Sequence, residues 1–274
     1  MPKRSILAIG GPGSGKTTQL RTFPGRKFVY QFDPMTLAAL GDVEFEHAAF
    51  VPSAEELDIS VKTLKTGVGD KSIRKLEPTA YLRFQDDLYE RLARNFFDDF
   101  PVVMLDSLTT FQMIVMDRVM HLSGRLGKQP EQADWSAQIA NVTSAIRILS
   151  DLPCQYLYLT AHHQYTQDTT TKRLYNKPEM TGKLRLYIPS MVSDIFALSC
   201  ASSAHEEKFI MQTRPSRENP IVRTTMRGLE YEEDITILDW NKPTDYGLGR
   251  LFEKGPRTRP KAPPTLTGRA SLRS

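Results

Sequence analysis

The stretch Gly10-Gly11-Pro12-Gly13-Ser14-Gly15-Lys16-Thr17 constrains this chain more than any other segment. It fits the pattern G-x-x-x-x-G-K-[ST], whose meaning depends on its flanks: a strand must deliver the chain to the loop and a helix must carry it away. Both flanks agree. Ser5 to Ile9 is a short apolar run of the kind a buried strand presents. Residues 16–22 read as the following helix, stopped by Pro24 and Gly25. Glycines let the backbone wrap closely and turn its N–H groups toward phosphate oxygens. A helix start adds the positive end of its dipole. In such a loop Lys16 reaches the β- and γ-phosphates and Thr17 holds a magnesium ion. The expected cradle is Gly10, Gly11, Pro12, Gly13, Ser14, Gly15, Lys16, Thr17 and Thr18, with ATP and Mg2+ as cofactors.

Further along, Val102-Val103-Met104-Leu105 is apolar and ends in Asp106. A carboxylate at a strand end beside such a loop belongs to the magnesium shell, although many strands also end in an acid that caps the next helix. Other strands are expected at Phe28 to Phe32, closed by Asp33-Pro34, and at Gln155 to Thr160. Tyr81 to Phe97 sets Phe84, Leu88, Leu92 and Phe96 on one helical face. Two more helices are expected over about 108–122 and 134–150. Strands alternating with helices up to residue 160 predict an α/β fold, a mostly parallel sheet covered by helices on both faces. Ligands in such sheets sit at the carboxyl ends of the strands, where all these motifs fall. Asp194 to Ser199, Lys208 to Thr213, Ile221 to Thr225 and Ile235 to Leu238 read as further strands, antiparallel and toward the C-terminus.

Composition sets the limits. The chain has 274 residues, 40% hydrophobic and 25% charged, enough to build a core. No apolar stretch approaches the length of a membrane span. The apolar run after Lys3-Arg4 is too short for a signal peptide. Two cysteines, Cys154 and Cys200, make no disulfide framework, so a reducing, cytoplasmic setting is expected, that of the host cell if the chain is phage-encoded. The charge is uneven. Residues 254–274 hold six cations and no acid, so taking six from the total of +4 leaves −2 for residues 1–253. The body therefore reads as one domain over 1–253. It carries a poorly packed insertion at about 42–75, and a disordered, basic, Pro-rich tail follows at 254–274.

With Leu105-Asp106-Ser107-Leu108, the chain resembles RecA-like ATPases, and among them the phage group that includes single-strand annealing ATPases. The resemblance spans roughly residues 5–238. It rests on the loop at 10–17, Leu105-Asp106-Ser107, Thr160-Ala161-His162, and Gly182-Lys183 with Pro189 and Asp194. It implies a RecA-like P-loop core with an extra strand between the Asp106 strand and the first strand; Phe28 to Phe32 is the candidate for that strand. It implies that an acid after the second strand polarises the attacking water, here Asp33, which an Asp-Pro turn explains equally well. A residue after the fourth strand senses the γ-phosphate, here His162. A neighbouring subunit supplies a cation, here Arg227 or Arg223, with Thr225 where the family carries a lysine. The catalytic set is thus Lys16, Asp33, Asp106, His162 and Arg227, with Thr17 and Asp106 on the metal.

The loop after that fourth strand binds DNA in RecA-like proteins. Here residues 163–187 interleave cations with aromatic rings, which suits single-stranded nucleic acid as well as an ordinary solvated hairpin. The candidate DNA-binding residues are Lys172, Arg173, Tyr175, Lys183 and Arg185. Three functions follow. The first is a magnesium-ATP-dependent ATPase acting on single-stranded DNA in phage recombination or replication. It would work as a homo-oligomeric ring or filament, with a single-strand-binding protein as a further partner and no membrane. The second is a small-molecule phosphotransferase. The third is a nucleotide-gated assembly protein, such as a helicase loader, with little turnover.

Overall fold

The computed structural model describes residues 3–41, 45–53, 77–202 and 207–254. Most of the expected insertion, and the expected tail beyond Lys254, lie outside the described residues. The sheet has nine strands. They are β1 (Arg4–Gly10), β2 (Lys27–Gln31), β3 (Glu46–Ala49), β4 (Val102–Asp106), β5 (Tyr156–Gln167), β6 (Leu174–Pro178), β7 (Asp194–Ser202), β8 (Glu207–Gln212) and β9 (Glu232–Asp234). The order is β3-β2-β4-β5-β1-β7-β8-β9, with β6 paired to β5 off this path. β3 through β7 in that order run parallel, and β8, β9 and β6 are antiparallel additions.

The central strands are apolar on both sides because both faces are covered. Along β1, Leu7 and Ile9 face one core while Ile6 and Ala8 face the other. The first core lies under α2 (Ala80–Ala93), α3 (Leu108–Leu122), α4 (Gln132–Asp151) and α5 (Leu184–Ser190), which contribute Phe84, Phe111, Ile146 and Ile188. The second is covered by a 3-10 turn (Thr18–Thr22), the short α1 (Thr36–Leu40) and α6 (Gly247–Lys254), through Leu20, Leu40, Leu251 and Phe252. α6, which the sequence did not announce, docks tightly. Leu248 N donates to Gln19 Oε1 at 2.8 Å and Gly249 N to Thr22 Oγ1 at 2.8 Å. A Cβ at Gly249 would collide with the Thr22 backbone.

Several expectations need correction. The segment after the loop is not a helix over 16–22 but the 3-10 turn Thr18–Thr22, because Pro24 and Gly25 leave no room for a second turn. An extra strand does separate β4 from β1, but it is β5; β2, the Phe28 segment, lies on the far side of β4. Glu46–Ala49 is an edge strand and Phe50 is buried, so this part of the expected insertion belongs to the sheet. The helix expected to reach Phe97 ends at Ala93, and a 3-10 turn takes up Phe96–Asp99. β7 runs parallel to β1 and antiparallel only to β8. Ile221 to Thr225 makes no strand, only an isolated bridge between Ile195 and Arg223. The last strand is Glu232–Asp234 rather than Ile235 to Leu238. Ile235 is instead buried in the second core, which accounts for the apolar signal. Finally, β5 continues past Thr160 to Gln167 as one arm of a hairpin with β6.

Candidate nucleotide site

β1 and β5 pair in parallel with Gly10 opposite His162, so the Gly-rich loop leaves the sheet beside that histidine. The loop turns through Gly13 (φ +73°) and Gly15 (φ +83°), a region a side chain rarely adopts. Gly15 is also hemmed in from outside: a Cβ there would lie 2.9 Å from the ring of Phe209 on β8. The antiparallel strands, remote in sequence, therefore buttress the loop. From beneath, the buried Tyr158 hydroxyl of β5 donates to Lys16 O at 2.7 Å. Burial holds that phenol well above its usual pKa, so it stays a donor.

Lys16 is buried, and its Nζ donates to Gly10 O at 2.9 Å, Gly11 O at 2.7 Å and Ser14 Oγ at 3.3 Å. Burial pushes its pKa down to about 8, against the opposing pull of Asp106 and then Asp33. The ammonium is thus kept inside the loop on weak carbonyl partners, ready for a stronger anionic one.

Asp106 ends β4, buried at 3% exposure. Its Oδ2 accepts Thr17 Oγ1 at 3.0 Å and Thr36 Oγ1 at 2.7 Å, while Thr160 Oγ1 donates to Oδ1. Three hydroxyls from three segments thus aim one carboxylate at the loop. Its main-chain oxygen accepts Phe32 N at 2.7 Å and Asp33 N at 3.0 Å, which draws the end of β2 alongside. Thr36 also lies 3.0 Å from Asp33 O, so its single proton sits between two acceptors.

Asp33 keeps Met35 N on its Oδ1 at 2.9 Å, the aspartate-turn role foreseen as an alternative. Its Oδ2 faces His162 Nε2 at 3.8 Å. His162 N donates to Thr109 Oγ1 at 3.0 Å. The adjacent His163 turns the other way on the strand. Its Nε2 would lie 3.6 Å from a Cβ at Gly11, and burial and then Lys16 lower its pKa.

A cleft of about 260 Å³ joins these groups. Its walls include the loop from Pro12 to Thr18, together with Asp33, Asp106 and His162; Met35, Thr36 and Ala39 of the α1 region form the outer side. Four of the five proposed catalytic side chains therefore meet in one place. The fifth, Arg227, is exposed and does not line this cleft. Arg223 is engaged locally, its Nη2 donating to Val192 O at 3.0 Å and to Pro189 O. Thr225 accepts Arg4 Nη1 at 2.9 Å and donates its N–H to the buried Asp194 at 2.8 Å.

The five candidate DNA-binding residues fall into two groups. Lys172 and Arg173 are exposed at the hairpin turn, Lys172 with φ +58°, and Tyr175 is half-buried on β6. Lys183 precedes α5 and Arg185 lies on it. Burial and then the Arg185 charge lower the pKa of Lys177 on β6.

The residues fit the cofactors. Magnesium takes hard oxygens and usually keeps several waters, needing one or two protein ligands beside phosphate. Thr17 and Asp106 supply such oxygens, 3.0 Å apart. Among the described residues no cluster of three or more His, Cys, Asp or Glu offers a denser metal site, and no helix is long and apolar enough to cross a membrane.

Sequence reasoning missed Thr36, Tyr158 and Phe209, and gave Thr160 no role although Thr160-Ala161-His162 carried the resemblance. Each is an ordinary residue in an apolar context, and only Thr160, at the end of its expected strand, carried a positional hint.

Residues 2–220 match the family model described as AAA domain. No curated protein matches the chain. Among solved structures, a KaiC-like protein from the hyperthermophilic archaeon Pyrococcus horikoshii OT3 is similar at 11% identity and a TM-score of 0.41, covering 88% of this chain and 87% of that one.

Proposed function

Since the chain belongs to the AAA domain family of P-loop ATPases, we propose that it hydrolyses magnesium-ATP in the service of single-stranded DNA, in phage recombination or replication, as a ring or filament of identical subunits. The observation that carries the nucleotide half is the convergence of Lys16, Thr17 and Asp106 at the carboxyl ends of neighbouring strands, with Asp33 and His162 beside them. Bound magnesium supplies charge neutralisation to the phosphates. Lys16 exchanges its loop carbonyls for phosphate oxygens. The loop N–H groups hold the remaining charge. Asp33 Oδ2 orients the attacking water, and the His162 ring reads the γ-phosphate by a hydrogen bond. Arg227, outside its own cleft, is suited to act on a neighbour's nucleotide.

The DNA half is supported by the exposed cations Lys172, Arg173 and Lys183 on segments that continue directly from His162. The test is ATP turnover with and without single-stranded DNA. Stimulation, lost in Lys16→Ala, is expected; turnover indifferent to DNA overturns the DNA half. One observation favours a second reading, a slow nucleotide-gated assembly protein: Asp33 Oδ1 is already committed to Met35 N. Tight nucleotide binding with DNA-stimulated turnover still negligible would select it.

A further inference from the structure

A second hollow of about 490 Å³ lies between α4 and α5, roomier than the nucleotide cleft at about 260 Å³. Its walls carry Trp135 and Ile139 from α4, and Thr181, Gly182, Lys183 and Tyr187 around the start of α5. Two aromatic side chains thus share one recess with an ammonium, and its lining has no acid. Tyr187 is 42% exposed, so its ring is open to solvent. Neither Lys183 nor Arg185 forms an ion pair among the described residues, and Arg185 Nε is buried with no hydrogen-bond partner. Two residues on from Lys183, Arg185 adds a second cation on the short helix that Lys183 precedes.

The recess is wired to the nucleotide cleft. Its Thr181 gives both N–H, at 2.7 Å, and hydroxyl, at 3.0 Å, to Gln112 Oε1. Gln112 Nε2 in turn donates to Glu179 O at 2.9 Å, and Glu179 N donates to His162 O at 2.8 Å.

The geometry points to a nucleobase-binding site: an unstacked base of single-stranded nucleic acid lies against Trp135 and Tyr187, with its phosphate on Lys183. This inference rests on the single-strand reading above and adds Trp135, on a helix outside the basic hairpin, as its aromatic anchor. Base-on-ring stacking is tolerant of sequence and needs one open π-face with charge alongside.

The chain has two tryptophans, and Trp240 lies under the Arg21 guanidinium at 4.9 Å. With Trp240→Phe, Trp135 becomes the only reporter. A thymidine oligonucleotide is titrated while its own anisotropy and the indole emission are recorded. The expected result is binding with quenched emission. Trp135→Ala should weaken oligonucleotide binding by about tenfold, while Trp135→Phe retains most of it and both keep nucleotide affinity, which shows that they are folded. Free thymidine monophosphate should bind far more weakly than the oligonucleotide. Oligonucleotide binding with unquenched Trp135, or with Trp135→Ala as good as the parent, overturns the site and leaves the single-strand reading standing. Monophosphate as strong as oligonucleotide makes the recess a mononucleotide site and overturns the strand assignment. No oligonucleotide binding by the parent overturns both.

Discussion

Lys16 is a cation stored at a cost. Burial has lowered its pKa to about 8 from the usual 10.5, and phosphate oxygens will raise it again. Nucleotide binding above pH 8 must therefore take up a proton. Affinity should hold below that pH and then fall, by up to about tenfold per unit, toward the ordinary lysine range. Calorimetry in buffers of different ionisation enthalpy should register about one proton absorbed near pH 9; none would show that Lys16 is already charged there. The empty chain should gain stability over the same window, since the unfolded lysine still holds its proton. Thr36 makes a second prediction. Thr36→Val removes one of the hydroxyls on Asp106 Oδ2. It should cost about 1 kcal/mol of stability and raise several-fold the magnesium needed for half-maximal nucleotide binding, with Thr36→Ser restoring both. The glycines, Lys16 and Asp106 were legible in the sequence because their chemistry is written contiguously. Thr36 and Thr160 were not, since a buried threonine differs from a core residue only by what the fold sets beside it.

Elements show the same division. The central parallel strands β1, β2, β4 and β5 were legible because burial on both faces demands uninterrupted apolar runs, whereas the exposed edge strand β3 and the parallel sense of β7 were not. The antiparallel end was legible only in part: Ile221 to Thr225 and Ile235 to Leu238 have strand-like composition, yet Ile235 spends its side chain in the second core and Glu232–Asp234, acidic and exposed, makes the edge strand. β8, expected at Lys208 to Thr213 and found at Glu207–Gln212, was legible, and it brings Phe209 against the loop. Gly15→Ala must place a Cβ 2.9 Å from that ring at a φ of +83°. Loss of about 1–2 kcal/mol is expected, with nucleotide affinity lowered more than global stability would explain. Phe209→Ala in the same chain should return part of the affinity, and melting curves with and without nucleotide would separate the two effects.

At the scale of the whole molecule, the nucleotide cleft and the proposed base recess are joined through Gln112 of α3. Gln112→Leu breaks the chain of hydrogen bonds between Thr181 and Glu179 and leaves the Thr181 N–H unpaired. About 1–3 kcal/mol of stability should go. DNA stimulation of turnover should vanish while ATP binding and oligonucleotide binding, each measured alone, persist. The basic groups at the hairpin turn and at α5 make a separate prediction: replacing Lys172, Arg173, Lys183 and Arg185 by Ala should flatten the dependence of oligonucleotide affinity on salt. An unaltered slope would put the phosphates elsewhere.

β5 has a consequence of its own. Its first half is wedged between β1 and β4, and its second half is one arm of the outer hairpin. β5 runs unbroken through this crossing, so a load on the hairpin tip is carried along one backbone to the rung where Gly10 meets His162. A glycine pair inserted at that rung should slacken this link between the hairpin and the nucleotide loop.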